Sequence, residues 1–257
     1  MTPRQTALVT GANSGIGKTI VSRLARAGYD VAINYKIDAA SAERLANELQ
    51  QNGVRAITAY ADVGLSKDVD AMFEKLLSEF GKLDALVNNA GVQVWKPLLE
   101  VDEADWDRVL ATNLKGCYLC TQRAARHMKQ HRSGAIVNIG SGCNKVPFPN
   151  LSAYTASKGG IEMFSKSAAM ELGPFGIRVN CIAPGAIETE RTKAEVADFA
   201  KSWSALTPLR RIGTTDDVAS AVEFLLGETA SFITGQTLAV DGGLFIQPRW
   251  PDSDYNT

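Results

Sequence analysis

The feature that most constrains the fold of this sequence is the alternation of short, β-branched apolar runs with longer segments of helical periodicity. Such alternation is typical of βαβ units, in which helices cover both faces of a parallel sheet. It predicts an α/β protein with a doubly wound seven-stranded parallel sheet and helices on both faces. The predicted strands are Ala7–Thr10, Val31–Tyr35, Ala56–Ala61, Ala85–Asn88, Ala135–Ile139, Ile177–Ile182 and Thr237–Val240. The predicted helices are Ile16–Ala27, Ala40–Gln51, Lys67–Phe80, Glu103–Lys129, Ala153–Leu172 and Thr215–Leu226.

Chain length and composition fit one folded domain. A chain of 257 residues and 27.6 kDa buries on the order of 70% of its extended surface. No linker, charge block or repeat divides the sequence, so we expect a single domain over residues 1–257. The one long irregular stretch lies between Pro184 and Pro208, and loops of that length are often lids. We expect a substrate lid near residues 187–207.

The charge balance and the apolar runs exclude several classes of partner. Lys and Arg number 27 against 28 Asp and Glu, which leaves no basic excess for a nucleic-acid backbone. No run of about 18 apolar residues occurs, and the N-terminus lacks the apolar segment of a signal peptide. We therefore expect a cytoplasmic protein with no nucleic-acid partner and no membrane partner.

The cysteines and histidines do not predict a metal site. Cys117 and Cys120 have CxxC spacing, but they lie in an apolar helical stretch without a second pair, which favours core packing. His127 and His131 are one helical turn apart, and their basic neighbours indicate a solvated helix end rather than a metal site. Four cysteines in all are too few and too scattered for a disulfide framework, so we expect reduced thiols: Cys117, Cys120, Cys143 and Cys181.

A glycine-rich turn, Thr10–Gly17, joins the first predicted strand to the first helix. Glycines allow a tight turn and a close backbone approach to a pyrophosphate, and a helix N-terminus offers NH groups and a positive dipole end. The spacing Gly-x3-Gly-x-Gly departs from the GxGxxG form, so the turn alone is weak evidence. Its position between strand and helix predicts a Rossmann-type nucleotide site.

Polar motifs follow several other predicted strands. Asp62 follows the third strand, Asn88–Gly91 the fourth and Ser141 the fifth, and Tyr154–Lys158 opens the next helix. Ligands of open parallel sheets lie beyond the carboxyl ends of the strands, so one ligand could touch all of these motifs.

In this combination and order the motifs resemble the short-chain dehydrogenase/reductase family over nearly the whole chain. Within that family the sequence is similar to the glucose 1-dehydrogenase and 3-oxoacyl-(acyl-carrier-protein) reductase types. The matching residues are TGxxxGIG at Thr10–Gly17, NNAG at Asn88–Gly91, Asn113, Ser141, YxxxK at Tyr154 and Lys158, Pro184–Gly185 and Thr189.

The resemblance implies the catalytic residues Asn113, Ser141, Tyr154 and Lys158. In it, Tyr154 exchanges a proton with the substrate oxygen and Ser141 hydrogen-bonds that oxygen. Lys158 lowers the pKa of the tyrosine and holds the nicotinamide ribose, and Asn113 positions a water. From spacing alone, Tyr154 and Lys158 share a helix face, and an ammonium about 4 Å away could lower a phenol pKa by about 3 units. Spacing alone favours the alternative of a packed tyrosine and a solvated helix lysine, and Ser141 together with the cofactor motifs reverses that preference.

The resemblance also implies how an NAD(P) cofactor is held. Asp62 and Val63 would meet the adenine, Asn89 and Ala90 the adenosine ribose, and Ile187 and Thr189 the carboxamide. For Asn88 and Asn180 a structural role is at least as good a reading. The expected cofactor-binding residues are Gly11, Asn13, Ser14, Gly15, Ile16, Gly17, Tyr35, Lys36, Asp62, Val63, Asn89, Ala90, Gly91, Tyr154, Lys158, Pro184, Gly185, Ile187 and Thr189.

The segment after the second strand favours NADP(H), with NAD(H) possible. An NAD-selective site usually places a carboxylate there, and none occurs before Asp38. Lys36 could pair with a 2′-phosphate while Tyr35 stacks near the adenine. Ser14 stands where many NADP-preferring relatives carry Arg or Lys, which leaves one of two expected cationic contacts.

The substrate pocket is less defined. Aromatic candidates suit a medium-sized apolar ketone, whereas Asn144, Glu188 and Glu190 suit a polyol or sugar, and any of them could be packing residues. The expected wall residues are Val94, Trp95, Cys143, Asn144, Phe148 and the lid, which includes Trp203.

These observations predict an NAD(P)-dependent oxidoreductase that interconverts a carbonyl and a secondary alcohol of the ketone, sugar or oxoacyl class. The alternative is a non-catalytic NAD(P)-sensing protein. The presence of all three residues Ser141, Tyr154 and Lys158 argues against this alternative. A halohydrin-lyase-like enzyme is disfavoured, because such relatives lack the cofactor glycines and the lysine that this sequence contains.

The two long predicted helices carry more apolar residues than one helix face needs, which predicts a homotetramer paired through these helices. The residues are Leu110, Leu114, Leu119, Ile161, Met163, Phe164 and Met170.

Overall fold

The computed structural model describes residues 4–195 and 198–246. The strands are β1 (Thr6–Val9), β2 (Asp30–Tyr35), β3 (Ala56–Tyr60), β4 (Ala85–Asn88), β5 (Gly134–Ile139), β6 (Ile177–Pro184) and β7 (Thr237–Val240). They confirm the predicted fold, a seven-stranded sheet in the order β3-β2-β1-β4-β5-β6-β7 with every pairing parallel.

Helices cover both faces of this sheet. They are α1 (Gly15–Arg26), α2 (Ala39–Gln51), α3 (Ser66–Phe80), α4 (Glu103–Leu110), α5 (Gly116–His131), α6 (Ser152–Leu172), α7 (Glu190–Glu195), α8 (Phe199–Leu206) and α9 (Thr215–Leu226). Along β1, Val9 belongs to one core cluster with helices α1, α2 and α9, and Leu8 belongs to the other with α3, α5 and α6. Both side chains are fully buried, as the near-continuous apolar strands require.

The predicted single helix Glu103–Lys129 is wrong in one respect. A π-helical segment, Ala111–Lys115, separates α4 from α5, and the amide of Gly116 donates to the carbonyl of Ala111, five residues back. Apolar periodicity does not reveal one wider turn inside a longer helix. Segments of this kind occur often at functional sites, and this one contains Asn113.

The stretch between Pro184 and Pro208 is not wholly irregular, because it contains α7 and α8. The sequence of α7, ERTKAE, has no apolar period, and α8 spans only eight residues, too few for its apolar spacing of Phe199, Trp203 and Leu206 to indicate a helix. Residues 196 and 197 of the expected lid lie outside the described residues.

The two CxxC cysteines and the asparagines Asn88 and Asn180 have structural roles. Cys117 and Cys120 are buried and free, and burial raises the pKa of both thiols, which confirms core packing. Asn88 bonds Thr121 and Asn138, and Asn180 bonds the loop before β7, so both asparagines serve the fold.

His127 is half-buried rather than solvated as expected. Its pKa is lowered by burial and by the neighbouring His131. Over residues 4–195 and 198–246, no group of three metal-ligating side chains occurs, and no helix is long and apolar enough to cross a membrane.

Candidate active site

The glycine-rich turn packs tightly against the end of β4. Gly11 has a φ of +60°, and a Cβ there would lie 3.0 Å from the Cα of Ala90. A Cβ on Gly17 would overlap the carbonyl oxygen of Gly11 and the side-chain amide of Asn89. The glycines are therefore required by the packing of the turn as well as by its shape.

The N-terminus of α1 is suited to an anion. Its N-cap residue, Ser14, makes no side-chain cap hydrogen bond, and its first turn carries no acidic residue. Gly15 has a φ of +52°, and the nearest neighbour of a Cβ there would be the methyl group of Thr189, 3.9 Å away. The N-terminus of α1, with its dipole end and NH groups, thus lies beside the start of the expected lid, and it fits the pyrophosphate of a dinucleotide.

Thr10 holds the nucleotide turn and the end of β4 together. Its Oγ1 accepts hydrogen bonds from the main-chain NH groups of Asn89 (2.9 Å) and Ala90 (3.0 Å). The side-chain amide of Asn89 donates to the carbonyls of Thr10 and Gly11, and that of Asn13 donates to the carbonyl of Ile37. The amide protons of both asparagines are therefore used inside the protein. This role of Thr10 was missed, although it is the first residue of the TGxxxGIG motif.

An ion pair lies at the expected adenine end of the site. Lys36 Nζ is 2.6 Å from Asp62 Oδ2, and the lysine is about half exposed. Partial burial raises the pKa of Asp62, but the hydrogen bonds from Lys36 and the Gly64 amide outweigh burial and hold it below its ordinary value. The rings of Tyr35 and Tyr60 meet edge to face with centres 5.9 Å apart. The Tyr35 ring thus packs against Tyr60 of the neighbouring strand, β3.

Two predicted cofactor residues have their side chains in the protein interior. Val63 packs against Gly116, where a Cβ would lie 2.7 Å from its Cγ2. Ile187 packs against Gly213, and the two residues form an isolated parallel bridge. Only the main-chain atoms of these two residues would therefore contact a cofactor.

The predicted catalytic side chains meet beyond the end of β5. Tyr154 and Lys158 lie one turn apart on α6, and Lys158 is buried with Nζ 2.7 Å from the carbonyl oxygen of Ile139. Ser141 follows β5, accepts a hydrogen bond from the Cys143 amide at 3.2 Å and hydrogen-bonds Tyr154. The fold therefore brings Ser141, Tyr154 and Lys158 to one place.

The pKa values in this cluster differ from the expectation. Burial raises the pKa of Tyr154 to about 12, although the hydrogen bond with Ser141 acts in the opposite direction. Burial lowers the pKa of Lys158 to about 8. Lys158 Nζ lies over the Tyr154 ring, 5.5 Å from its centre, and the lysine does not contribute to the shift of the tyrosine pKa. The lysine alone therefore does not place the tyrosine pKa near neutrality.

Asn113 is held rigidly in the π-helical segment. Its Oδ1 accepts from the Val92 amide at 2.8 Å, and its Nδ2 donates to the Val92 carbonyl at 2.9 Å and to Ser157 Oγ at 3.0 Å. Both amide protons are thus donated within the protein. The side chain ties the loop after β4 to α6, and a Cβ on Gly91 would lie 3.4 Å from its Oδ1.

Aromatic rings connect the expected lid to the loop after Ser141. Trp203 on α8 lies with its ring centre 5.5 Å from that of Phe148 and 6.2 Å from that of Phe199. The expected wall residues therefore include one real cluster, composed of two lid residues and one loop residue.

The other expected wall residues differ in environment. Cys143 is buried, and Trp95 is 56% exposed. The amide of Asn144 donates to Glu162 on α6, and Glu188 pairs with Lys193 at 2.8 Å. Of the polar groups considered for a sugar, the Asn144 amide nitrogen and the Glu188 carboxylate thus have partners inside the protein, whereas Asn144 Oδ1 is buried without a hydrogen bond and Glu190 is exposed.

Comparison with known proteins decides the family. A family model described as Enoyl-(Acyl carrier protein) reductase matches residues 11–245, and solved dehydrogenase structures superpose on nearly the whole chain. The chain belongs to the short-chain dehydrogenase/reductase family. The resemblance inferred from the motifs is confirmed.

Three of these short-chain dehydrogenase/reductase relatives indicate the range of substrates. The 3-oxoacyl-(acyl-carrier-protein) reductase FabG of Staphylococcus aureus strain N315 is 41% identical over 242 residues, which cover 94% of this chain and 98% of the relative. Gluconate 5-dehydrogenase from Burkholderia cenocepacia J2315, solved with NADP and tartrate, has 35% identity and a TM-score of 0.89, covering 95% and 96% of the two chains. Acetoin dehydrogenase from Enterobacter cloacae has 37% identity and a TM-score of 0.90, covering 98% and 100%. General carbonyl–alcohol oxidoreduction is thus supported for this family member.

Proposed function

We propose that this protein catalyses the NAD(P)-dependent interconversion of a carbonyl and a secondary alcohol, with Tyr154 as the acid/base. The observation that carries the proposal is the convergence of Ser141, Tyr154 and Lys158 beyond the carboxyl ends of the strands. The glycine-rich turn and the uncapped N-terminus of α1 open on the same edge of the sheet. A dinucleotide along this edge would bring its reactive ring to the three side chains.

Each catalytic residue has a distinct role in this proposal. A bound nicotinamide supplies or accepts the hydride. Ser141 Oγ donates a hydrogen bond to the substrate oxygen, and the Tyr154 hydroxyl gives that oxygen a proton or removes one. Lys158, fixed by the Ile139 carbonyl, holds the cofactor ribose, and Asn113 keeps the loop after β4 in place. A water in the proton path would be bound by atoms of Asn113 other than its two donated amide protons.

NADP(H) is the cofactor that we propose, with NAD(H) as the weaker one. Lys36 is the cation at the end of β2, and its carboxylate partner, Asp62, lies on the neighbouring strand's loop. Because the pair is partly exposed, Lys36 can turn towards a 2′-phosphate at modest cost. The solved gluconate 5-dehydrogenase relative was obtained with NADP.

A substrate screen tests the proposed function. Ketones, aldose sugars and oxoacyl thioesters are offered to the purified protein with each reduced or oxidised cofactor, and nicotinamide absorbance is followed. Carbonyl-dependent oxidation of NADPH supports the proposal. Tight cofactor binding without turnover of any compound would favour the non-catalytic sensor instead.

We also propose a homotetramer, on a smaller set of residues than the sequence predicts. Leu119 and Ile161 are buried within the subunit and are excluded as interface residues. Met163 and Met170 on α6 are 64% and 82% exposed, which leaves an apolar surface on this helix. A second copy of the chain would cover it.

A further inference from the structure

A tight turn follows β7 and carries the last described residues of the chain, 241–246. The carboxylate of Asp241 closes this turn: Oδ1 accepts from the Gly243 amide at 2.9 Å and Oδ2 from the Phe245 amide at 3.1 Å. Gly242 and Gly243 have φ values of +62° and +86°, which other residues adopt only with strain. The main-chain conformation of this turn therefore sets the position of Phe245.

The turn is wedged between the end of β6 and the end of the expected lid. A Cβ on Gly185 would lie 2.7 Å from the Cα of Asp241, and a Cβ on Gly242 would lie 2.7 Å from Thr207 Cγ2. The carbonyl of Gly242 accepts from the Leu209 amide at 3.3 Å. These contacts fix the turn on the edge of the sheet where the catalytic residues lie.

The ring of Phe245 occupies the space next to the catalytic serine. Gly142 directly follows Ser141, and a Cβ on Gly142 would overlap the Phe245 ring. A side chain that arrives from the other end of the chain thus fills the place that a side chain at position 142 would take. Phe245 as a whole is half-buried.

We propose that Phe245 is a specificity-determining residue, the wall that limits the size of the substituent on the substrate carbonyl beside Ser141. The aromatic cluster of Phe148 and Trp203 forms the wall towards the lid. Two aromatic walls select a compact ketone with short apolar substituents over a substrate with a bulky group at the carbonyl. This inference rests on the proposed function and names the substrate class of that same site.

The test compares two diketones, diacetyl and its phenyl analogue, in which a phenyl ring replaces one methyl group. The wild type should reduce diacetyl with the higher kcat/KM. Phe245→Ala should shift the kcat/KM ratio towards the phenyl analogue by at least about tenfold, since a single methylene in an apolar pocket is worth that much. Phe232→Ala is the matched control, because Phe232 is fully exposed in the loop before β7 and should leave the ratio unchanged.

Two further variants guard against loss of folding. Phe245→Leu keeps an apolar side chain and should give a smaller shift in the same direction. Asp241→Ala keeps the ring but removes both acceptors of the turn, and should also shift the ratio towards the phenyl analogue. Fluorescence titration with NADPH should show cofactor affinity close to wild type in all variants.

The outcomes separate the two proposals. If the wild type reduces no carbonyl compound in the screen, the proposed function fails, and this inference with it. If the wild type reduces other carbonyl compounds but not diacetyl, or if the ratio is unchanged in Phe245→Ala, the inference alone is overturned.

Discussion

Lys158 lies over the face of the Tyr154 ring, with Nζ 5.5 Å from the ring centre, and donates a hydrogen bond to the Ile139 carbonyl. The two residues share a helix face, as their spacing predicts, but their ionisable groups do not pair. Burial therefore acts on each separately, lowering the pKa of the lysine and raising that of the tyrosine. Lowering the tyrosine pKa near neutrality requires a further positive charge or dipole beside the hydroxyl.

Stability should depend on pH through Lys158. Its folded-state pKa of about 8 lies below the ordinary 10.5, so the unfolded chain binds more protons between these values, and stability should rise with pH across that window. Below pH 8 the buried ammonium costs on the order of 3 kcal/mol. Lys158→Met should therefore be more stable than wild type near neutral pH, and the difference should shrink towards pH 10. Urea unfolding at both pH values measures it.

The control for this experiment is Lys166→Met, a half-buried lysine on the same helix that pairs with Glu162. It should not reproduce the pH-dependent difference. A Lys158→Met variant that is less stable than wild type at neutral pH would contradict the assignment of a costly buried charge. Lys158→Met should also bind cofactor more weakly and lose turnover, because the lysine is expected to hold the ribose.

Replacing Lys36 should change the choice of cofactor. A hydrogen bond to a charged group contributes about 1.5 to 3 kcal/mol, so Lys36→Ala should lose roughly 10- to 100-fold in NADPH affinity and much less in NADH affinity. Fluorescence titration with both cofactors measures this ratio. Lys75→Ala, on α3, serves as the charge-matched control. An unchanged ratio in Lys36→Ala, or equal catalytic efficiency of the wild type with NAD, would overturn the preference.

The oligomeric state should exceed a monomer. Static light scattering at micromolar concentration should give a mass well above 27.6 kDa. Placing a carboxylate on the exposed apolar surface of α6, as in Met170→Glu, should lower that mass, because burying an unpaired charge in an interface is costly. Only a 27.6 kDa species in the wild type would refute the homotetramer.

The tyrosine should titrate late in the cofactor-free protein. Because burial raises its pKa to about 12, the phenolate absorbance of wild type minus that of Tyr154→Phe should be absent below about pH 10. Phenolate that appears near neutral pH without cofactor would show that the side chains alone supply the missing stabilisation. With cofactor and an alcohol, the oxidation rate should still rise with pH, because the base form must be populated.

Most of the fold could be predicted from the sequence because the apolar period of each element is local. β4 and β7 match their predicted bounds, and the other strands differ by one or two residues at their ends. The π-helical segment around Asn113 could not be predicted, since one wider turn leaves the periodicity on either side unchanged. The helix α8 was missed because it spans only eight residues, too few for its apolar spacing to be distinguished from an irregular loop.

For the site, the sequence predicts which motif residues come together, but not the contacts that surround them. Ser141, Tyr154 and Lys158 do meet, because parallel strands end at one edge. The contacts that modify them are long-range: the Ile139 carbonyl that takes the Lys158 hydrogen bond, and the Phe245 ring that lies on Gly142. Neither contact leaves a pattern in the sequence, because the partners are far apart along the chain.

The most direct test of the central claim is the Tyr154→Phe variant, in which turnover and cofactor binding are measured on the same protein. Only a hydroxyl is removed, so NADPH affinity by fluorescence titration should stay close to wild type. Turnover by nicotinamide absorbance should fall by roughly 10²- to 10⁴-fold, as expected for the loss of a general acid. A variant that keeps more than about a tenth of wild-type turnover would show that Tyr154 does not carry the proton.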